Sequence, residues 1–254
     1  MIAWPGSVLH HLRFINLSFW RNPGAAFFGV VFPLMILTIN SLVFGGAKIP
    51  MHGHTVTAAS FYVAGMSVFA VVMTCFTNLA VTILFDRDMG RLKRIRGTPT
   101  AVSAYVTARL LFAMAMGLLA SMLCVAEGVA FFGVTIALPD LGAFVVTVLA
   151  GSACLAALSL AVVSVIPNAQ AGPAMLNAVT FPILFVSNVF YPVDRLPAWL
   201  NAIANALPIR PLATATVGAF FGGGISLPSL SVLGIWGVVG AVIAAARFRW
   251  QPRR

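Results

Sequence analysis

The residues able to do chemistry in this chain are gathered in one run, Asp86-Arg87-Asp88-Met89-Gly90-Arg91-Leu92-Lys93-Arg94-Ile95-Arg96-Gly97-Thr98-Pro99. Five of the 15 Lys and Arg and two of the five Asp and Glu fall here, between long and nearly uncharged stretches. Such a set suits charge-directed docking rather than bond making. A charged helix can dock by complementary charge, and Leu92 and Ile95, three apart, offer it an apolar contact face. The basic side chains would steer and orient the partner, and Gly97 and Pro99 would stop the helix. A solvated loop that meets only anionic lipid is the competing reading.

Other reactive side chains do not assemble into a site. A phosphate loop of the form G-x-x-x-x-G-K-[ST] needs its lysine. The two lysines, Lys48 and Lys93, lie in no such motif, so the chain is not expected to hydrolyse ATP by that mechanism. His52 and His54 have only Lys48 as a nearby charge, and a metal site needs three or four ligands. Cys75, Cys124 and Cys154 all fall within apolar stretches and read as small hydrophobes. Glu127 reads as a carboxylate snorkelling to the interface at the outer end of a span, and Arg109 as its counterpart at an inner edge. A charge left at the midplane would cost about 3 kcal/mol.

The elements that must position these groups follow from composition. The 254 residues are 61% hydrophobic and 8% charged, against about 25% charged in soluble domains. The apolar residues come in runs of about 20, the length a helix needs to cross a bilayer. Six spans are expected, near Ala25–Phe44, Phe61–Phe85, Val102–Ala126, Leu141–Ile166, Pro173–Val189 and Leu230–Ala246. Inner segments then hold Arg13, Arg21, Arg87, Arg91, Lys93, Arg94, Arg96, Arg247, Arg249, Arg253 and Arg254, and outer ones only Lys48, Arg195 and Arg210. That bias places both termini in the cytoplasm. The net charge of +10 is thereby accounted for by topology, and no basic, aromatic-interleaved soluble domain offers itself to nucleic acid.

Two further elements are expected. Val8, Leu12, Ile15 and Phe19 recur at helical spacing, bracketed by Trp4 and Trp20, which predicts an interfacial amphipathic helix over 5–21 lying on the inner leaflet. The region 191–228 is punctuated by Pro192, Pro197, Pro208, Pro211 and Pro228. It predicts a short helix from Leu196 to Leu207 and a second at Leu212–Phe221 too short to span, together a re-entrant hairpin on the outer side. The fold expected is a single all-α membrane domain over 1–254: an interfacial helix, six transmembrane helices and a re-entrant hairpin before the last. Polar residues inside the spans, Asn40, Ser41, Asn78, Thr82, Asn177, Thr180 and Asn188, are candidates to line a pathway, although such groups more often bond within or between helices.

Three stretches carry a family likeness. They are Phe19-Trp20-Arg21-Asn22-Pro23 with Phe32-Pro33-Leu34 and Phe44-Gly45; the run Asp88–Pro99; and Asn188-Val189-Phe190-Tyr191-Pro192 with Leu196-Pro197-Ala198-Trp199-Leu200 and Leu207-Pro208-Ile209-Arg210-Pro211-Leu212. In order and spacing the chain resembles the membrane subunits of type-two ABC exporters, the daunorubicin-resistance permease group among them. One departure is Asp88, where members often carry Glu. The resemblance implies a half-transporter in a bacterial plasma membrane. It would pair with a second copy or a paralogue and with two separate ATPase subunits that bind ATP and Mg, this chain holding no cofactor itself. Asp88, Gly90, Arg91, Leu92, Lys93, Arg94, Ile95, Gly97 and Pro99 would form the segment coupled to the ATPase, and the cargo would be an amphiphilic drug, lipid or glycolipid moved outward. The residues alone leave two alternatives: a non-transporting scaffold or immunity protein, and an ATP-independent channel or secondary transporter.

Overall fold

A backbone in hydrocarbon must satisfy its own polar groups, and a chain this apolar does so by forming helices. The computed structural model describes residues 4–51, 54–96, 102–192 and 196–247. In chain order the elements are α1 (Trp4–Trp20), α2 (Pro23–Phe44), strands β1 (Lys48–Met51) and β2 (His54–Thr57), α3 (Ala58–Asp88), α4 (Arg91–Arg96), α5 (Val102–Phe132), α6 (Leu138–Val163), α7 (Gly172–Phe185), α8 (Ala198–Ala206), α9 (Ile209–Phe220) and α10 (Leu227–Arg247). The antiparallel β1–β2 hairpin pairs Ile49 with Val56 and Lys48 with Thr57 and departs from the all-helical expectation. Its β-branched residues favour extended pairing over a helical turn.

Among the described residues five helices are long and apolar enough to cross a membrane: α2, α3, α5, α6 and α10. The fifth expected span is α7, which has only 14 helical residues. Pro182 sits inside it, and the helix has ended before Asn188 takes a left-handed φ of 57°. The chain nevertheless continues beside α3. The carbonyl of Val189 packs so close to Gly65 that a β-carbon there would lie 2.1 Å from it.

α3 is the centre of the bundle. Every residue from Ala58 to Val71 is buried, and α2, α5 and α9 pack around this half. α9 is itself mostly buried, wedged between α3 and α6, with Leu212 seated on Gly151. α10 meets α6 through Gly240, where a β-carbon would stand 2.8 Å from the Leu158 nitrogen and 2.9 Å from the Ala157 carbonyl carbon. Main chain cannot give way as a side chain can. Gly240→Ala should therefore part α6 from α10 and lower stability by about 1–3 kcal/mol, read as an earlier thermal transition in detergent; an unchanged transition would show that this approach is not tight.

α1 forms close to its expected bounds, but its apolar stripe meets protein. Val8 and Ile15 are buried with Ala104 and Ala108 of α5, and Leu12 and Phe112 pack against them. The two alanines, one helical turn apart, leave a shallow strip on α5 that admits the larger side chains. Leu9, Phe14 and Leu17 remain exposed on the rest of α1.

Candidate functional site

The charged end of α3 carries three consecutive ionic side chains, and at about 100° per residue they leave the helix in three directions. Each finds a different partner. Asp86, 2% exposed, accepts hydrogen bonds from Tyr105 and Arg109 of α5 through Oδ2, and from Arg91 Nη1 of α4 through Oδ1 at 2.9 Å. Arg109 Nε also donates to Tyr105 Oη at 3.0 Å, which closes a buried triangle of carboxylate, phenol and guanidinium. Arg109, expected to snorkel, is thus held by an ion pair to Asp86.

Arg87, 3% exposed, turns to α6. Its Nη1 donates to the Val163 carbonyl at 3.1 Å, and its Nη2 to those of Ile166 and Pro167 at 3.1 and 3.0 Å. A helix leaves its last carbonyls without intrahelical donors, and a planar guanidinium satisfies several at once while opposing the negative end of the helix dipole. Asp88 receives Arg87 Nε at 3.2 Å on Oδ1 and the Ala169 backbone N–H at 2.6 Å on Oδ2. The end of α3 therefore grips α5, the C-terminus of α6 and the turn leading into α7.

Met89 and Gly90 then reverse the chain. Gly90 has φ of 68°, a left-handed conformation that glycine takes without steric cost. α4 folds back so that Leu92, 1% exposed, joins the main hydrophobic core, with Ile95 packed against the same cluster. Leu92 and Ile95, expected to face a partner, here pack against the chain's own core. The pair shares a helical face, but that face is satisfied within the chain. Met89, Arg91, Lys93 and Arg94 are exposed instead. Gly97 and Pro99 lie outside the described residues.

α1 borders this cluster. The His11 ring stands edge-on to Tyr105, 5.8 Å between centroids, and its Nε2 is buried without a hydrogen bond among the described residues. Burial foremost, then the neighbouring His10 and Arg109, lowers its pKa from 6.5. The folded chain therefore binds this proton less readily than the unfolded one, and stability contributed here is present above pH 6.5 and declines as pH falls below it. The thermal transition should drop as pH falls below 6.5, and His11→Gln should flatten that slope; an equal slope in both proteins would show that His11 does not carry it.

The pathway candidates are not brought to one place. Asn78 and Thr82 border a small pocket, about 60 Å³, between α1, α2, α3 and α5, with Ser18, Asn22 and Arg109. Both also hydrogen-bond to main chain, Asn78 across to α2 and Thr82 within α3. Asn78 Nδ2 donates to the Ala25 carbonyl at 3.3 Å and Thr82 Oγ1 to the Asn78 carbonyl at 2.7 Å. Asn78 ends a π-helical stretch, Val72–Asn78, that faces another in α2, Phe27–Val31, with Gly29 between them. Asn40, Ser41, Asn177, Thr180 and Asn188 line no part of this pocket. Ser41 and Thr180 are buried, and Asn40, Asn177 and Asn188 half-buried.

Residues 11–221 match the family described as ABC-2 type transporter. The chain belongs to that family. Its members are membrane subunits of transporters, with ATP hydrolysis in a partner subunit. The daunorubicin resistance ABC transporter permease protein DrrB1 of Streptomyces coeruleorubidus is 30% identical over 220 residues, 83% of this chain and 73% of that protein. Transport permeases named ycf38 from Porphyra purpurea and Pyropia yezoensis are 25% and 24% identical over 197 residues, 76% of this chain and 66% of each relative. This ABC-2 permease is accordingly a multi-pass membrane transport subunit. Sequence reasoning missed that Asp86, Tyr105 and Arg109 form one unit and that Arg87 turns to the carbonyls after α6. The available signal was three successive charges at the end of an apolar helix, which must point to different neighbours.

Proposed function

We propose that this ABC-2 permease is the membrane half of an ATP-driven exporter in a bacterial plasma membrane, working with a second permease copy or paralogue. A separate ATPase docks on the exposed face formed by Met89, Gly90, Arg91, Lys93 and Arg94. Leu92 and Ile95 hold that face in register from within. Asp86, Arg87 and Asp88 pass its movement to α5, α6 and α7. The observation that carries this reading is the threefold grip at the end of α3, since a face tied to three elements at once can shift all three. The relative's name, daunorubicin resistance, supports an amphiphilic drug as cargo.

The same reading takes α7 as a sixth crossing and α8–α9 as an outer re-entrant pair, with both termini cytoplasmic. Ala169 is bonded to Asp88 at one end of α3, and Val189 lies against Gly65 near the other, so the segment between them runs most of that helix. The exposed apolar residues of α1, together with Trp4 and Trp20 at its ends, suit contact with the inner leaflet. Asn78 and Thr82 remain the pathway candidates nearest the coupled end; Asn40, Ser41, Asn177, Thr180 and Asn188 would join them only along an interface with a second copy.

Co-purification with an ATPase encoded beside the permease tests this. Lys93→Glu combined with Arg94→Glu should leave insertion intact and abolish retention of the ATPase, because docking by complementary charge is reversed while the Arg91 tether to Asp86 is kept. Undiminished retention would refute the assignment of this face.

A further inference from the structure

A second polar site lies at the opposite end of α5 from Asp86, and nothing in the coupling scheme uses it. Glu127 faces an open groove of about 880 Å³ between α2 and α5. The walls are apolar, with Val31, Met35 and Leu42 on one side and Leu123, Ala130 and Phe131 on the other. Thr38 is the one hydrogen-bonding partner of the carboxylate among the described residues, donating to Oε1. That hydroxyl has a single proton and also stands 3.0 Å from the Leu34 carbonyl, so the two acceptors share it. Oε2 receives no bond among the described residues, and the ion pairs there, all made by Asp86 and Asp88, leave Glu127 without a cation. An ionised carboxylate offers about four acceptor positions, so most of its capacity is unused. Five residues separate it from the end of α5, about 8 Å along the helix, which sets it beneath an apolar mouth formed by Leu42 and Phe131.

We propose that this groove binds the ammonium of a cationic amphiphile, with Glu127 and Thr38 receiving the charged head and the α2 and α5 walls the apolar body. The inference rests on the exporter reading and names a cargo class for it. An ammonium brings three donors to an under-satisfied carboxylate, and the attached hydrocarbon covers the groove walls. A zwitterionic phospholipid fits less well, because no Lys or Arg lines the groove to receive its phosphate.

Photolabelling in nanodiscs tests this without requiring transport or an ATPase. The probe is dodecylamine carrying a mid-chain diazirine, compared with its uncharged N-acetyl form. The amine should label peptides containing Val31–Leu42 and Leu123–Phe132 about tenfold more than the acetyl form, the ratio expected when one charge-assisted hydrogen bond is lost. Glu127→Gln should erase that difference, Glu127→Asp should restore part of it, and excess phosphatidylethanolamine should not compete. Equal labelling by both probes, or an amine preference that survives Glu127→Gln, would overturn the proposal. So would a groove that resists both probes while Leu42→Cys crosslinks between two copies, since a second permease would then cover it. Failure here with ATPase docking intact removes the cargo class and leaves the exporter reading standing.

Discussion

Asp86→Ala destabilises this ABC-2 permease by about 3–5 kcal/mol, the cost of leaving a buried charge without its counter-ion. The carboxylate is almost fully enclosed, and the Arg109 side chain it neutralises is only 12% exposed. Removing Asp86 strands that guanidinium beside Tyr105 and frees Arg91 of α4 at the same time. The loss should appear as an earlier thermal transition and as weaker ATPase retention, since α4 loses a tether. Adding Arg109→Leu should recover much of the stability, because the stranded charge is then gone. A double-mutant cycle over Asp86 and Arg109 should give a coupling energy at the upper end of the 0.5–3 kcal/mol range for contacting residues. Additive losses would mean that the pair is solvated and contributes little.

Arg87→Ala has the second largest effect, about 3 kcal/mol, through a different cause. Asp88 loses its ion pair but is part-exposed and keeps the Ala169 N–H; the larger cost is that the carbonyls of Val163, Ile166 and Pro167 lose their shared donor beyond the end of α6. Arg87→Lys should recover only part of the loss, since an ammonium is a point donor and lacks the planar fork that reaches several acceptors. The same variants separate stability from coupling. If Arg87 transmits movement from α4 to α6, Arg87→Lys should keep the ATPase bound while its hydrolysis responds less to the permease. Full response in a protein that has lost those hydrogen bonds would assign Arg87 to stability alone.

Most of the helical scaffold is legible in the sequence because length is enough to find it. The runs that became α2, α3, α5, α6 and α10 are apolar for the span of a bilayer and bounded by charged or turn residues. The expected fifth span was harder. Its helix ends at Phe185, before the left-handed Asn188, although apolar composition continues to Phe190. The inward turn of Leu92 and Ile95 was not legible for a physical reason. Helical spacing shows that two residues share a face, but not whether that face meets a partner or the chain's own core. The grip made by Asp86, Arg87 and Asp88 depends on residues distant in sequence, Tyr105, Arg109, Val163 and Ala169, and local pattern carries no register between helices. The β1–β2 hairpin was passed over because its strands are short and contain Pro50.

On the proposed docking, α4 presents Met89, Arg91, Lys93 and Arg94 to an ATPase while Leu92 anchors it inward. Cys75, Cys124 and Cys154 are all buried, so a single introduced cysteine can be addressed selectively. The decisive measurement is thiol crosslinking to a co-expressed ATPase from Arg94→Cys compared with Leu92→Cys. A strong adduct is expected from position 94 and none from position 92. An adduct from position 92 with none from 94 would contradict it, and would return the docking face to the apolar side of α4.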